Sequence, residues 1–184
     1  MGDTSGFSEA RPLISIDEVE NAELKGNITA FHVEETTEGM YWCEATFGNW
    51  GGSGYLYFDR KILDFGKTIA ITIGEGDAKA RVFKGRISAI EAHYSKFGTP
   101  DIVILAEDRL SDMRMTRRTR TFDNMSDSDV MRQIASGHNL TPDIDIDGAT
   151  HKVLAQVNQS DLAFIRERAR AVNAEIWVED TIFM

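Results

Sequence analysis

The stretch QSDLAFIRERARAVNAEIWVED, residues 159–180, changes its hydrophobic period part-way along. Ser160 is a natural N-cap, because its hydroxyl can accept a backbone N–H of the first turn, and Asp161 behind it favours the positive end of the helix dipole. Leu162, Ile165, Ala169 and Val172 recur at helical spacing and predict one apolar stripe. Arg166, Arg168 and Arg170 fall on the remaining surface, where they could meet an acidic neighbour. Asn173 suits left-handed backbone at the helix end, after which AEIWVED alternates as a strand and turns into TIFM. No side chain here is an evident catalyst, so the unit reads as packing and docking.

Upstream, NMSDSDVMRQIASGHNL (124–140) repeats this grammar. Ser126 or Ser128 can cap a helix, Asp127 and Asp129 suit its N-terminus, and Val130, Met131, Ile134 and Ala135 make the apolar stripe. Gly137, His138 and Asn139 mark its end. A strand pair around DIDID (143–147) and HKVLAQV (151–157) is expected to join the two helices.

From residue 11 to about 112 the period is two instead. LISI, LKGNITAFHVEE, MYWCEATF, YLYF, KTIAITIG, ARVFKGRISAIEAHYS and PDIVILAEDRL read as strands, separated by breaks such as GNWGGSG and GEGD. Long strands in an open sheet leave edges that attract unwanted pairing, so closure into a barrel or cover by a partner is expected. The predicted class is α+β: a flexible N-terminus over 1–10, an antiparallel β-barrel over 11–120, and a small α+β module with two helices over 121–184.

Charge narrows the partners. Thirty acidic against 20 basic residues give a net charge of −10, which opposes nucleic-acid binding through the overall field. No run approaches the ~18 apolar residues of a membrane span, and MGDTSGFSEA lacks a signal-peptide pattern, so synthesis in the cytoplasm without stable membrane insertion is expected. The single cysteine, Cys43, has no partner for an internal disulfide and reads as a small apolar strand residue.

Several motifs invite chemistry and give none. DIDIDG begins like a calcium loop, but Leu154 stands where a bidentate glutamate is required; a two-sided strand with Ile144 and Ile146 inward explains every residue. GNWGGSG lacks the lysine of a phosphate loop and reads as a flexible turn or contact loop, with Trp50 and Tyr55 placed either to grip a partner or to cover the barrel end. In RMTRRTR, Arg114, Arg117, Arg118 and Arg120 have no aromatic stacking platform beside them and suit carboxylate pairing, within the chain or across an interface. The four histidines lack metal-site spacing, and no nucleophile elbow or marked carboxylate pair is present. No catalytic, cofactor or metal residue is therefore assigned.

RPLISIDEV, VFKGRISAIEAHY, the DRLSDMRMTRRTRTFDNMSDSDVMRQIA passage and NQSDLAFIRERARAVNAEIWVED together resemble the baseplate-hub family of contractile injection machines. That family includes the phage late control gene D protein and the VgrG- and Pvc8-type spike hubs. The order Phe83-x-Gly85-x-Ile87, Asp108 to Leu110, SDSDVMRQIA and QSDLAFIRERAR carries the likeness. It implies a tail-tube-like barrel followed by the α+β module, and a homo-oligomer, a trimer in the family. It also implies a tail tube protein and a central spike protein as partners, with final location in a virion tail or injection particle. Such hubs continue into a second barrel, which is missing here, so an incomplete hub is expected. The residues for partner contact would be Trp50, Tyr55, Arg114, Arg117, Arg118, Arg120, Arg166 and Arg170. A peptidoglycan-acting hydrolytic domain of the same kind of machine is the alternative.

Overall fold

The computed structural model describes residues 11–37 and 40–184, so the N-terminal segment expected to be flexible lies outside the described residues. The chain divides into two compact units. Unit 1 holds the residues up to Val33 together with Cys43–Ala106, and unit 2 holds Glu34–Trp42 and Glu107–Met184.

Period-two sequence becomes one seven-stranded sheet. Its strands are β1 (Leu13–Ile16), β2 (Val19–Glu20), β3 (Ile28–Glu34), β4 (Trp42–Gly48), β5 (Thr68–Ile73), β6 (Ala80–His93) and β7 (Asp101–Glu107), in the order β2-β1-β5-β6-β7-β4-β3. Alternate residues are buried in β1, β4 and β6, among them Ile14, Cys43, Ala45, Phe47, Phe83 and Ile87, whereas β5 and β7 each bury three in a row, Ile69–Ile71 and Ile102–Ile104. Burial, aided by the charge of Glu44, pushes the Cys43 thiol up to about 12, in keeping with an inert strand residue.

Three expectations change. LKGNITAFHVEE does not begin as a strand, because the Asn21 side chain accepts the Leu24 N–H at 2.9 Å and starts a short helix, α1 (Ala22–Asn27). YLYF forms a loop rather than a strand. The expected barrel does not close among the described residues: β2 and β3 end the strand order without pairing to each other. β2 is only two residues long, whereas β3 offers a seven-residue edge with most side chains exposed.

Unit 2 is built from a 3-10 turn (Arg109–Arg114), β8 (Arg117–Met125), α2 (Asp127–Gly137), β9 (Thr141–Pro142), β10 (His151–Ser160), α3 (Asp161–Ala171), β11 (Val178–Glu179) and β12 (Ile182–Phe183). β10 pairs antiparallel with β8, not with DIDID as the sequence suggests. Residues 143–147 keep the expected alternation, with Ile144 and Ile146 packed on the core and the aspartates exposed, but they join no ladder. β12 instead runs parallel to β9 and antiparallel to β11.

The two helices are built alike, and both ends follow from sequence. Ser126 accepts the Asp129 N–H while Asp129 accepts the Ser126 N–H, a capping box; Ser160 accepts from Ala163. At the other ends Asn139 and Asn173 adopt φ of 56° and 54°. The Leu140 N–H returns to the Ala135 carbonyl and the Ala174 N–H to the Ala169 carbonyl, closing a Schellman motif each time. Leu162, Ile165 and Ala169 bury against Val130, Met131, Ile134 and Ala135, joined by Phe164, which the stripe had omitted.

Asp108 fastens the Glu34–Trp42 segment into unit 2. One carboxylate oxygen accepts the Tyr41 N–H and the other the Leu110 N–H, each at 2.9 Å, and the Asp108 N–H reaches the Tyr41 carbonyl at 3.0 Å. Burial, partly offset by those backbone donors, pushes its carboxyl up from 3.8 to about 6. The folded state therefore holds this proton more tightly, so the contribution of Asp108 is greatest below about pH 4 and is lost as pH rises through about 6. Relative to Asp108→Asn, the native protein should lose on the order of 2 kcal/mol between those limits. Urea midpoints across that range test this, and parallel curves for the two proteins would refute it.

Candidate docking surface

The glycine-rich loop after β4 is braced by one side chain. Asn49 is fully buried, and its Oδ1 accepts the N–H groups of Leu56 at 3.0 Å and Tyr57 at 2.9 Å. Gly51 and Gly54 exchange backbone hydrogen bonds of 2.8 and 3.1 Å, and Gly54 takes φ of 109°, which glycine alone adopts readily. The loop expected to be a turn is thus a shaped one, tied also through the Asn49 N–H to the Pro100 carbonyl at 2.9 Å.

That bracing sorts the aromatics. Tyr57 turns inward, edge-on to Phe47 at 6.3 Å, with its hydroxyl accepting from Asn27 at 2.7 Å. Trp50 and Tyr55 turn outward, 54% and 51% exposed, in a T-shaped contact at 5.3 Å. Tyr55 also meets Phe58 at 5.1 Å and Tyr94 at 6.2 Å, and Phe58 meets Tyr94 at 6.3 Å. Four aromatic rings therefore make one surface cluster on unit 1. Phe58 and Tyr94 were not singled out in the sequence: YLYF reads as a strand, and Tyr94 follows β6, so only the fold brings them together.

The arginines expected to face a partner are largely engaged within unit 2. Arg114 pairs with Glu107, and Arg117 donates to the Asn158 carbonyl at 3.1 Å. Arg118 and Arg120 reach Asp161 at 3.3 and 2.6 Å, and Arg120 also donates to Gln156 at 2.7 Å. Arg166 and Arg170 line a small hollow beside Thr37 and Glu175. Arg168, expected on the surface, instead grips the buried Asp127 at 2.6 and 3.2 Å.

Two aspartates thus anchor the module. Asp161, with a side chain 4% exposed, also meets His138 Nε2 and Gln156 Nε2, each at 2.9 Å; Asp127 meets His151 Nε2 at 3.0 Å. Burial alone would raise both carboxyls. Gln156, His138, Arg120 and Arg118 outweigh it at Asp161, and Arg168 and His151 at Asp127, so both lie below the usual carboxylate value. The sequence placed these aspartates correctly at helix starts but gave no sign of their distant cationic partners. Among the described residues, no group of three or more His, Cys, Asp or Glu could hold a metal ion, and no helix is long and apolar enough to cross a membrane.

Residues 53–183 match the family model described as the Alg8 N-terminal domain. The match spans more than half of the chain, and the chain belongs to that family. No curated protein matches it. Among solved structures it is similar to the 43 kDa tail protein of prophage MuSo2 from Shewanella oneidensis, with a TM-score of 0.71 and 12% identity over 95% of this chain and 53% of that one. The tail protein from Neisseria meningitidis MC58 gives 0.62 and 14% over 94% and 50%. A chain of the half-lidded Francisella PdpA-VgrG complex gives 0.60 and 14% over 89% and 28%. At these identities the likeness is one of fold. The chain spans about half the length of the two tail proteins.

Proposed function

We propose that this chain is a structural baseplate-hub component of a phage tail or contractile injection system, joining the tail tube to the central spike within an oligomeric ring. In this reading unit 1, with its seven-stranded sheet, supplies the tube-like β domain, and unit 2 supplies the accessory module, which takes in Glu34–Trp42 and begins at Glu107 rather than at the expected residue 121. The observation that carries the reading is the open seven-stranded sheet, in a fold similar to that of two tail proteins, whose end strand β3 has no second neighbour among the described residues. Fold alone assigns no function, so the surface has to support it. An exposed strand edge is a template for a strand of another subunit, and a rigid cluster of Trp and Tyr is the composition of an interface centre.

Light scattering on the purified chain, alone and mixed with tube and spike proteins, tests the reading. Association is expected, and Trp50→Ala combined with Tyr55→Ala should weaken it by about 30-fold or more, since one central aromatic anchor contributes about 2 kcal/mol or more and touching anchors do not add in full. A chain that remains monomeric with every partner at high concentration would overturn the proposal. Hydrolysis of cell-wall material, abolished by one carboxylate replacement, would put a peptidoglycan hydrolase in its place.

A further inference from the structure

A groove of about 540 Å³ in unit 2 lies outside the surface described above. One wall is the extended stretch 143–147 and the other is residues 172–177, which leave α3 and lead into β11. Its floor is apolar, with Met131, Ile144, Ile146, Ile176 and Phe183. Its rim is acidic: Asp143, Asp145, Asp147 and Glu175 are all exposed. Trp177, itself 37% exposed, stands at the edge, and a second hollow of about 450 Å³ beyond it adds Glu35.

We propose that this groove binds an extended basic segment of a partner protein, in which apolar residues alternate with arginine or lysine. Three features select that occupant. The Asp143 N–H is taken by the Phe183 carbonyl at 2.7 Å and the Ile144 carbonyl by Arg132 at 3.0 Å, but residues 145–147 belong to no ladder, so their backbone is suited to receive another strand. The apolar floor accepts every second side chain of such a strand, because successive side chains point to opposite faces. The carboxylate rim then faces the intervening cations, and repels acidic segments including a second copy of this chain with its net charge of −10. The site is independent of the hub reading, since neither the β3 edge nor the aromatic cluster contributes to it.

The test uses the full chain, three capped hexapeptides alternating valine with arginine, threonine or glutamate, and a helical arginine-rich peptide, followed by calorimetry and backbone amide NMR. The arginine peptide should bind and shift amides of residues 143–147 and 172–177. Asp145→Asn with Glu175→Gln should weaken it about tenfold or more, and Trp177→Ala should weaken it as well. Raising salt from about 0.05 M to about 0.5 M should weaken it further. Thermal melts of the variants confirm that these exposed substitutions leave the fold intact. Equal binding of the threonine peptide, equal binding of a helical arginine-rich peptide, or shifts away from the groove would each overturn the proposal.

Discussion

Replacing Asp161 with alanine is expected to destabilise unit 2 by about 3 kcal/mol, measured as a lower urea midpoint. The carboxylate is almost wholly buried and satisfies Arg118, Arg120, His138 and Gln156 at once. Removing it leaves two guanidinium groups crowded together and a fully buried glutamine short of an acceptor. Loss of one partner from a buried pair costs about 3–5 kcal/mol, and the lower end applies because Arg118 and Arg120 are themselves 48% and 30% exposed. Asp161→Asn keeps the shape and should cost less. The pH signature runs opposite to that of Asp108. Because the folded-state pKa of Asp161 is lowered, its contribution is present above about pH 4 and is lost as pH falls further, so the gap between native and alanine proteins should close in acid. A loss below about 1 kcal/mol at neutral pH would show that the network is not a stabilising anchor.

Phe164→Ala should cost about 3–5 kcal/mol by the same measurement. Phe164 is 3% exposed and stacks on Phe122 with centroids 5.8 Å apart and planes inclined by 10°. Phe122 also carries the Arg120 guanidinium over its ring, 5.0 Å from the centroid. Truncation therefore opens a cavity in the core and removes the support of the ring on which Arg120 rests. Phe164→Leu fills more of the space and should cost less than half as much. If the alanine variant unfolds at the native midpoint, the Phe122–Phe164 pair lies outside the cooperative core.

Features set by neighbouring residues were legible in the sequence. Ser126, Ser160, Asn139 and Asn173 mark both helices because caps are satisfied within a few positions of the chain. β1 and β4 to β7 followed from alternation for the same reason. What depends on distant partners was not. DIDID and HKVLAQV look like a natural pair because they are close in sequence, yet HKVLAQV pairs across α2 with the arginine-rich strand β8. Arg168 looks like solvent-facing charge until Asp127 is brought to it. The α1 helix was hidden because a six-residue helix carries too little periodicity to outweigh β-rich surroundings. Of the aromatic surface, Trp50 and Tyr55 were identifiable beside the glycines, whereas Phe58 and Tyr94 join only through the loop that Asn49 braces.

The two aspartate anchors also bear on the order of events at the ribosome. Asp127 is held by Arg168, and Arg120 by Asp161; each tie closes a span of 41 residues, and the two spans overlap. As the chain emerges N-terminus first, α2 appears with its leading carboxylate unmatched, and β8 appears with its cations unmatched. Asp127 can meet His151 once β10 has emerged, but neither obtains its Arg168 or Asp161 counter-charge until α3 has been synthesised, so these two ties close late.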